Sequence, residues 1–120
     1  MFIVEQGVSA AADRDGRDPE ATHIVAVEGD RVVGTCRLLF RGRVARLGRL
    51  AVEPERRGQG IAAAILLAAD GLALDHGAGS ISLHAQTYAR DLYLDAGYEE
   101  RGRAFVEEGI EHVAMEKRLD

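Results

Sequence analysis

At 120 residues the chain has the length of one domain, and its 47% hydrophobic and 29% charged composition is that of an ordinary globular protein; disordered, collagenous and membrane-spanning classes are excluded. A formal net charge of −5 argues against a nucleic-acid partner held by a general basic field, and no apolar run approaches the roughly 18–20 residues of a membrane span. The one cysteine, Cys36, cannot close an internal disulfide, and the 4 scattered histidines give no zinc spacing, so no metal is expected and Cys36 reads as core.

The chain opens Met1-Phe2-Ile3-Val4-Glu5-Gln6 without a basic stretch, a long apolar segment or a small-residue cleavage site. No secretory signal is expected there, and the expected location is cytoplasmic. Residues 9–22, with Asp13-Arg14-Asp15-Gly16-Arg17-Asp18-Pro19-Glu20, read as a solvated loop. Two β-rich runs, 24–28 and 32–40, flank Gly29-Asp30-Arg31 and predict a hairpin. After the turn Arg41-Gly42-Arg43, residues 44–52 predict a third antiparallel strand, with alternation clean at Ala45 and Leu47 and poorer beyond. Past Pro54 the period changes from 2 to 3.6: Ile61, Ile65, Ala69 and Leu72 share a helical face with Leu66, Ala62 and Ala73 at its margin. The predicted helix, about 60–76, stops at Gly77-Ala78-Gly79. A buried strand at 81–85, a short helix at 89–96 ended by Gly97, and two strands at 98–105 and 112–118 complete the chain. Strand, helix, strand across 44–85 demands a parallel crossover between antiparallel flanks, so the predicted fold class is α+β with one central mixed sheet, and the whole of 1–120 forms a single domain.

The chemical signal lies between residues 52 and 60. A glycine-rich loop that feeds a helix leaves N–H groups unpaired at the positive end of the helix dipole, where phosphates bind. Gly58 and Gly60 remove side chains that would hold a pyrophosphate away, and Arg56 and Arg57 add charge. A Walker-type loop fails for want of a lysine followed by Ser or Thr. A dinucleotide fingerprint fits Gly58-Gln59-Gly60-Ile61-Ala62-Ala63 literally, but Glu53 to Arg57 separate it from its strand, and the next strand ends in His84-Ala85 rather than an acid. The bland reading is a solvated basic pair before an irregular helix start. No Gly-x-Ser-x-Gly elbow supports a serine hydrolase.

Arg57-Gly58-Gln59-Gly60-Ile61-Ala62 resembles the signature of the GNAT N-acetyltransferase family, which is Gln or Arg, two residues, Gly, one residue, then Gly or Ala. Two further marks lie at the family's distances: Leu50-Ala51-Val52-Glu53-Pro54 before the signature and Leu92-Tyr93-Leu94-Asp95-Ala96-Gly97-Tyr98 after the next strand. The resemblance is nearest to the ElaA-type branch, through Phe2-Ile3-Val4-Glu5-Gln6-Gly7-Val8, Gly34-Thr35-Cys36-Arg37-Leu38, Leu83-His84-Ala85-Gln86 and Gly109-Ile110-Glu111-His112. Against that pattern the family's first strand and most of its first helix are expected to be missing ahead of Met1. Glu5-Gln6, which resembles a substrate-side segment of relatives, is expected as a helix fragment.

The resemblance implies the GNAT fold and, as co-substrate, acetyl-CoA, whose acetyl group passes to a primary amine of a small molecule or protein through a tetrahedral intermediate. It implies a bulge in the strand before the signature, with backbone amides near Leu50, Ala51 and Val52 for the thioester and pantetheine arm. Arg57, Gly58, Gln59, Gly60, Ile61 and Ala62 then hold the pyrophosphate. Tyr93 matches the tyrosine that protonates the leaving thiolate; its alternative is a helix tyrosine packed on the sheet. Gln86 stands where many relatives carry an asparagine near the CoA arm. The base is not assigned: Arg46 occupies the position where some relatives carry a glutamate. His84, His112, Glu107 and Glu108 are candidates whose usual explanation is a structural histidine or a solvated turn carboxylate. A sheet edge left open by absent N-terminal elements would favour a homodimer. The rival of a different class is a non-catalytic CoA-binding sensor or partner subunit.

Overall fold

The structure, a computed structural model, describes residues 3–9 and 21–120, with side chains described for 3–5 and 21–120. Among the described residues, seven strands form one mixed, mostly antiparallel sheet in the order β1-β2-β3-β4-β5-β7-β6. The strands are β1 (Ile3–Ser9), β2 (Ala21–Glu28), β3 (Arg31–Arg41), β4 (Val44–Val52), β5 (Ser80–Gln86), β6 (Glu99–Glu107) and β7 (Ile110–Arg118), and the helices are α1 (Ile61–Asp75) and α2 (Arg90–Asp95). The expected α+β class and the parallel β4–β5 connection through α1 are both present.

Two expectations are corrected at the N-terminal side. Glu5 and Gln6 lie in β1, paired with Val25 and Ile24 of β2, and not in a helix fragment. The β-branched Ile3, Val4 and Val8 suit a sheet edge better than a helix. The loop expected over 9–22 is shorter at both ends: Ser9 closes β1, and Ala21 and Thr22, both buried, open β2 opposite Leu39 and Leu38. Residues 10–20 of that loop lie outside the described residues.

Alternation dictates the core. Ile24 and Ala26 of β2, Cys36 and Leu38 of β3, Ala45 and Leu47 of β4, Ile81, Leu83 and Ala85 of β5, and Val113 and Met115 of β7 are all buried. They pack with Ile61, Ile65, Leu66, Ala69, Leu72 and Ala73 of α1, the helical face read from the sequence. Gly34 lets α1 approach. A Cβ there would stand 2.9 Å from Ile61 Cγ2 and 3.0 Å from Ile65 Cδ1. Gly34→Ala is therefore expected to destabilise by about 1–3 kcal/mol through overpacking, read as a lower urea midpoint at unchanged m-value.

Both helices end in the same way. Beyond α1, Gly77 (φ 81°) donates to Leu74 O and Ala78 to Ala73 O, each at 2.9 Å. Beyond α2, Gly97 (φ 98°) donates to Leu94 O and Tyr98 to Tyr93 O, each at 3.0 Å. These are Schellman caps, in which glycine takes the left-handed turn and the next residue packs back on the helix.

Cys36 is core, as expected, at 1% exposure. Burial pushes its thiol up from 9.0 to about 12. The folded protein thus holds this proton more tightly than the unfolded chain does, so the stability is complete below about pH 9 and falls as the pH climbs toward 12. The urea midpoint is expected to be flat from pH 7 to 8.5 and to drop by pH 10.5, with a shallower drop in Cys36→Val.

Candidate active site

The site is made by what β4 and β5 fail to do. They pair only over Val44–Arg46 with Ser80–Ser82, although β4 runs on to Val52 and β5 to Gln86. Beyond Arg46 the β5-facing edge of β4 has no strand partner among the described residues, and the two strands part toward their carboxyl ends, where crevices of α/β sheets form.

On its other side β4 carries a bulge. Thr35 pairs with Ala51 and Arg37 with Gly48, so two steps along β3 match three along β4. The extra residue falls at Arg49–Leu50, and Arg49 takes φ 56°, a left-handed conformation uncommon outside glycine. This is why the apolar alternation reads cleanly at Ala45 and Leu47 and then fails. The broken period was the one sequence signal for Arg49, which was not among the expected site residues.

Between the diverging strands lies a cavity of about 230 Å³ lined by Leu47, Gly48, Arg49 and Leu50 on one side and by Leu83, His84, Gln86, Tyr93 and His112 on the other, with Tyr88 and Ala89 at the strand-to-helix junction. Leu50, Gln86 and Tyr93 are thus brought together. Tyr88, 83% exposed, was also missed; a polar aromatic on a junction carries no distinctive sequence spacing.

Tyr93 is placed by local structure. It is the residue whose carbonyl accepts from Tyr98 in the α2 cap, and the cap folds the two rings edge to face at 5.9 Å. The pair sits in the core, Tyr93 at 8% exposure. Burial first, then the nearby Cys36 and Tyr88, push its phenol up from 10 to about 12, so it keeps its proton at neutral pH. Tyr98 is pushed up too, by burial and then Asp70, and its buried hydroxyl has no hydrogen-bond partner among the described residues.

A second cavity, about 220 Å³, is walled by the same two elements: Val52 lies two residues beyond Leu50 on β4 and Leu92 precedes Tyr93 on α2. Its remaining lining is Arg56, Arg57, Gly58, Gly60, Ile61, Ala62 and Ala63. Gly58 (φ 82°) and Gly60 (φ 81°) both adopt left-handed backbone, and a Cβ at either would meet nothing within 4 Å. Gly60 is the N-cap of α1, no side chain among the described residues caps the helix, and its first turn contains no acid. The positive helix end therefore faces open space with donors to spare.

The two arginines differ. Arg56 Nη2 donates to Glu28 Oε1 at 2.6 Å, which compensates much of its charge. Arg57 donates Nε to Val52 O at 3.3 Å and, among the described residues, faces no carboxylate. Gln59 is exposed on the same loop but is not part of the cavity wall, and Ala51 lies on the opposite side of β4 beside Val33, Gly34 and Thr35.

Across β4, β5, β7 and β6 a polar cluster joins the first cavity. His84 Nδ1 lies 3.2 Å from Glu107 Oε2, Arg46 Nη2 lies 3.3 Å from both His84 ring nitrogens, and Phe105 meets His84 edge-on at 5.0 Å. His112 donates Nδ1 to Ile110 O at 2.7 Å and stacks on Phe105. Glu108 sits in the β6–β7 turn with φ 54°, followed by Gly109 at φ 77°, the paired left-handed residues of a type I′ hairpin; it takes no part in the cluster. Among the described residues no group of three or more His, Cys, Asp or Glu side chains could hold a metal ion, and no helix is long and apolar enough to cross a membrane.

The family described as the acetyltransferase (GNAT) domain matches residues 2–119, and the chain belongs to it. A Bacillus subtilis relative named as an uncharacterized N-acetyltransferase, YjcF, is 33% identical over 118 residues, which cover 98% of this chain and 84% of the relative. The fold matches Escherichia coli ElaA with a TM-score of 0.83 at 17% identity, over 98% of this chain and 100% of that one. It also matches the PaiA N-acetyltransferase of Thermoplasma acidophilum, solved with coenzyme A, with a TM-score of 0.69 at 20% identity, over 80% of this chain and 59% of that one.

Proposed function

We propose that this protein transfers an acetyl group from acetyl-CoA to a primary amine of a small molecule or protein. The observation that carries the reading is a pair of cavities walled by the same two elements, β4 and α2: one in the wedge between β4 and β5 at the Arg49–Leu50 bulge, the other at the acid-free start of α1 at Gly60. An extended pantetheine arm fits the unpaired edge of β4 as an added strand would. The pyrophosphate meets the N–H groups of Gly58 to Ala62 and the Arg57 guanidinium. The fold neighbour solved with coenzyme A supports the same donor.

In this reading the thioester carbonyl lies at the bulge, where the N–H of Leu50 stabilises the developing oxyanion. The neutral amine attacks, the N–C bond forms, and the intermediate collapses with loss of the C–S bond. Tyr93, buried and protonated at neutral pH, gives its proton to the departing sulfur. The motifs Gly34-Thr35-Cys36-Arg37-Leu38 and Leu83-His84-Ala85-Gln86 support an ElaA-type branch for this chain.

Incubating the protein with acetyl-CoA and a panel of primary amines tests this, with free thiol and acetylated product both quantified and acetyl-CoA binding followed by native mass spectrometry. Binding with transfer supports the enzyme. Binding without transfer to any amine makes the chain a CoA-binding module, the reading that the Arg46 substitution at a base position favours. Absence of binding sinks both.

A further inference from the structure

We propose that His84 is the general base of the site, held in position by Glu107 and covered in the free protein by Arg46; the proposal rests on the acetyltransferase reading. Sheet register places the three together from strands far apart in sequence. Arg46 pairs with Ser82 across β4 and β5, so Arg46 shares a face with Ser82 and with His84 two residues on. Gln86 of β5 pairs with His112 of β7, which pairs with Phe105 of β6, so the same face continues to Phe105 and, two residues further, Glu107.

The hydrogen bonds fix the tautomer. Glu107 is a carboxylate and only accepts, so the nitrogen 3.2 Å from it, Nδ1, carries the proton and donates. That leaves Nε2 with a lone pair in the ring plane; Arg46 Nη2, 3.3 Å from both ring nitrogens, lies over the ring face rather than on the axis of that lone pair. A carboxylate on one ring nitrogen and a lone pair on the other is how an imidazole is oriented for proton abstraction. Here the guanidinium of Arg46, an exposed residue, covers the ring face and leaves the Nε2 lone pair open to an incoming amine.

His112 is the weaker candidate. Its side chain is 10% exposed against 31% for His84, and its Nδ1 is committed to a backbone carbonyl, with Nε2 4.0 Å from the same Glu107. His84 instead lines the cavity that holds Gly48, Leu50 and Tyr93. The charged and titratable groups facing it are Arg46 from β4, Arg49 from the bulge, Glu107 from β6 and His112 from β7; Glu116 of β7, opposite Ser82, is within 3.7 Å of Arg101. Tyr88 and Tyr93 complete the wall.

The step balances without another reagent. As the amine nitrogen bonds to the acetyl carbon, its N–H proton passes to His84 Nε2. The C–S bond then breaks with its electron pair on sulfur, Tyr93 protonates the thiolate, and solvent carries the proton from His84 back to Tyr93. The products are the amide and free CoA thiol.

The test compares wild type with His84→Gln and Glu107→Gln on acetyl-CoA and amines of rising basicity, from peptide α-amines near ~8 to the lysine side chain at ~10.4. For wild type, kcat at saturating amine should show an acidic limb, whereas kcat/KM for the amine also carries the amine's own ionisation and is not the readout. His84→Gln should abolish that limb and lower kcat by about 100-fold for the most basic amines, less for the weaker ones, at unchanged acetyl-CoA Kd. Glu107→Gln should lower kcat about 10-fold with KM for acetyl-CoA unmoved, and Glu107→Asp should restore part of it. If wild type acetylates amines and His84→Gln stays within about threefold of it across the panel, or loses rate equally for all amines with the limb intact, the proposal is overturned. If wild type binds acetyl-CoA and acetylates nothing, the acetyltransferase reading itself falls, and this one with it.

Discussion

Tyr93→Phe is expected to lower kcat by about 100-fold while the acetyl-CoA Kd stays within about threefold. The substitution keeps the ring that packs edge to face on Tyr98 and removes only the hydroxyl, so the α2 cap and the core around it survive. What is lost is the proton for the sulfur. With its phenol near 12, Tyr93 is a weak acid in water, several units above an ordinary thiol at about 8.5. The same burial that raises the phenol also raises a thiolate released beside it, which narrows the gap inside the cavity. Tyr93 is protonated throughout pH 6 to 9 on this account, so it contributes no alkaline limb to the wild-type profile there. Steady-state thiol release with acetyl-CoA gives the comparison, and a Tyr93→Phe rate within threefold of wild type would remove Tyr93 from the mechanism.

The parts of this site that were legible in the sequence are those written in local spacing. The period change after Pro54 marks α1, and the residues buried on it are the ones the 3.6 repeat selects. The loop glycines announce left-handed backbone at an N-terminus, and Gly58 and Gly60 both adopt it. Gly97 likewise marks the cap that fixes Tyr93 against Tyr98. Register, by contrast, is set by partners distant in sequence. Glu5 and Gln6 read as helix through their resemblance to a substrate-side segment rather than through the β-branched residues around them, and they fold as edge strand. The meeting of Arg46, His84 and Glu107 depends on the order β4-β5-β7-β6, in which β7 lies between β5 and β6. Their sequence separations, 38 between Arg46 and His84 and 23 between His84 and Glu107, carry no motif. The bulge at Arg49 lies between these extremes. The alternation stops where the strand gains a residue, but the conformation of that residue is decided by pairing with β3.

Gly60→Val is expected to raise the acetyl-CoA Kd by about 100-fold or more, and a matched substitution elsewhere separates the two causes of the loss. At φ 81° a β-branched residue is strained whatever the space around it, by about 1–3 kcal/mol. A Cβ at Gly60 meets no protein atom of the described residues within 4 Å, so the left-handed backbone is the penalty argued for the free protein. The open space it enters is the second cavity, where the uncapped N–H groups of α1 face a phosphate in the proposed complex. Gly42, in the turn between β3 and β4, has φ 59° and equally open surroundings but lines none of the cavities described above. Gly42→Val should therefore lower the thermal midpoint by a similar amount and leave the Kd unchanged, whereas Gly60→Val should do both. Isothermal titration with acetyl-CoA beside a thermal melt measures each. Equal affinities in the two variants would show that the start of α1 does not hold the donor, and the pyrophosphate would have to be sought elsewhere on the surface.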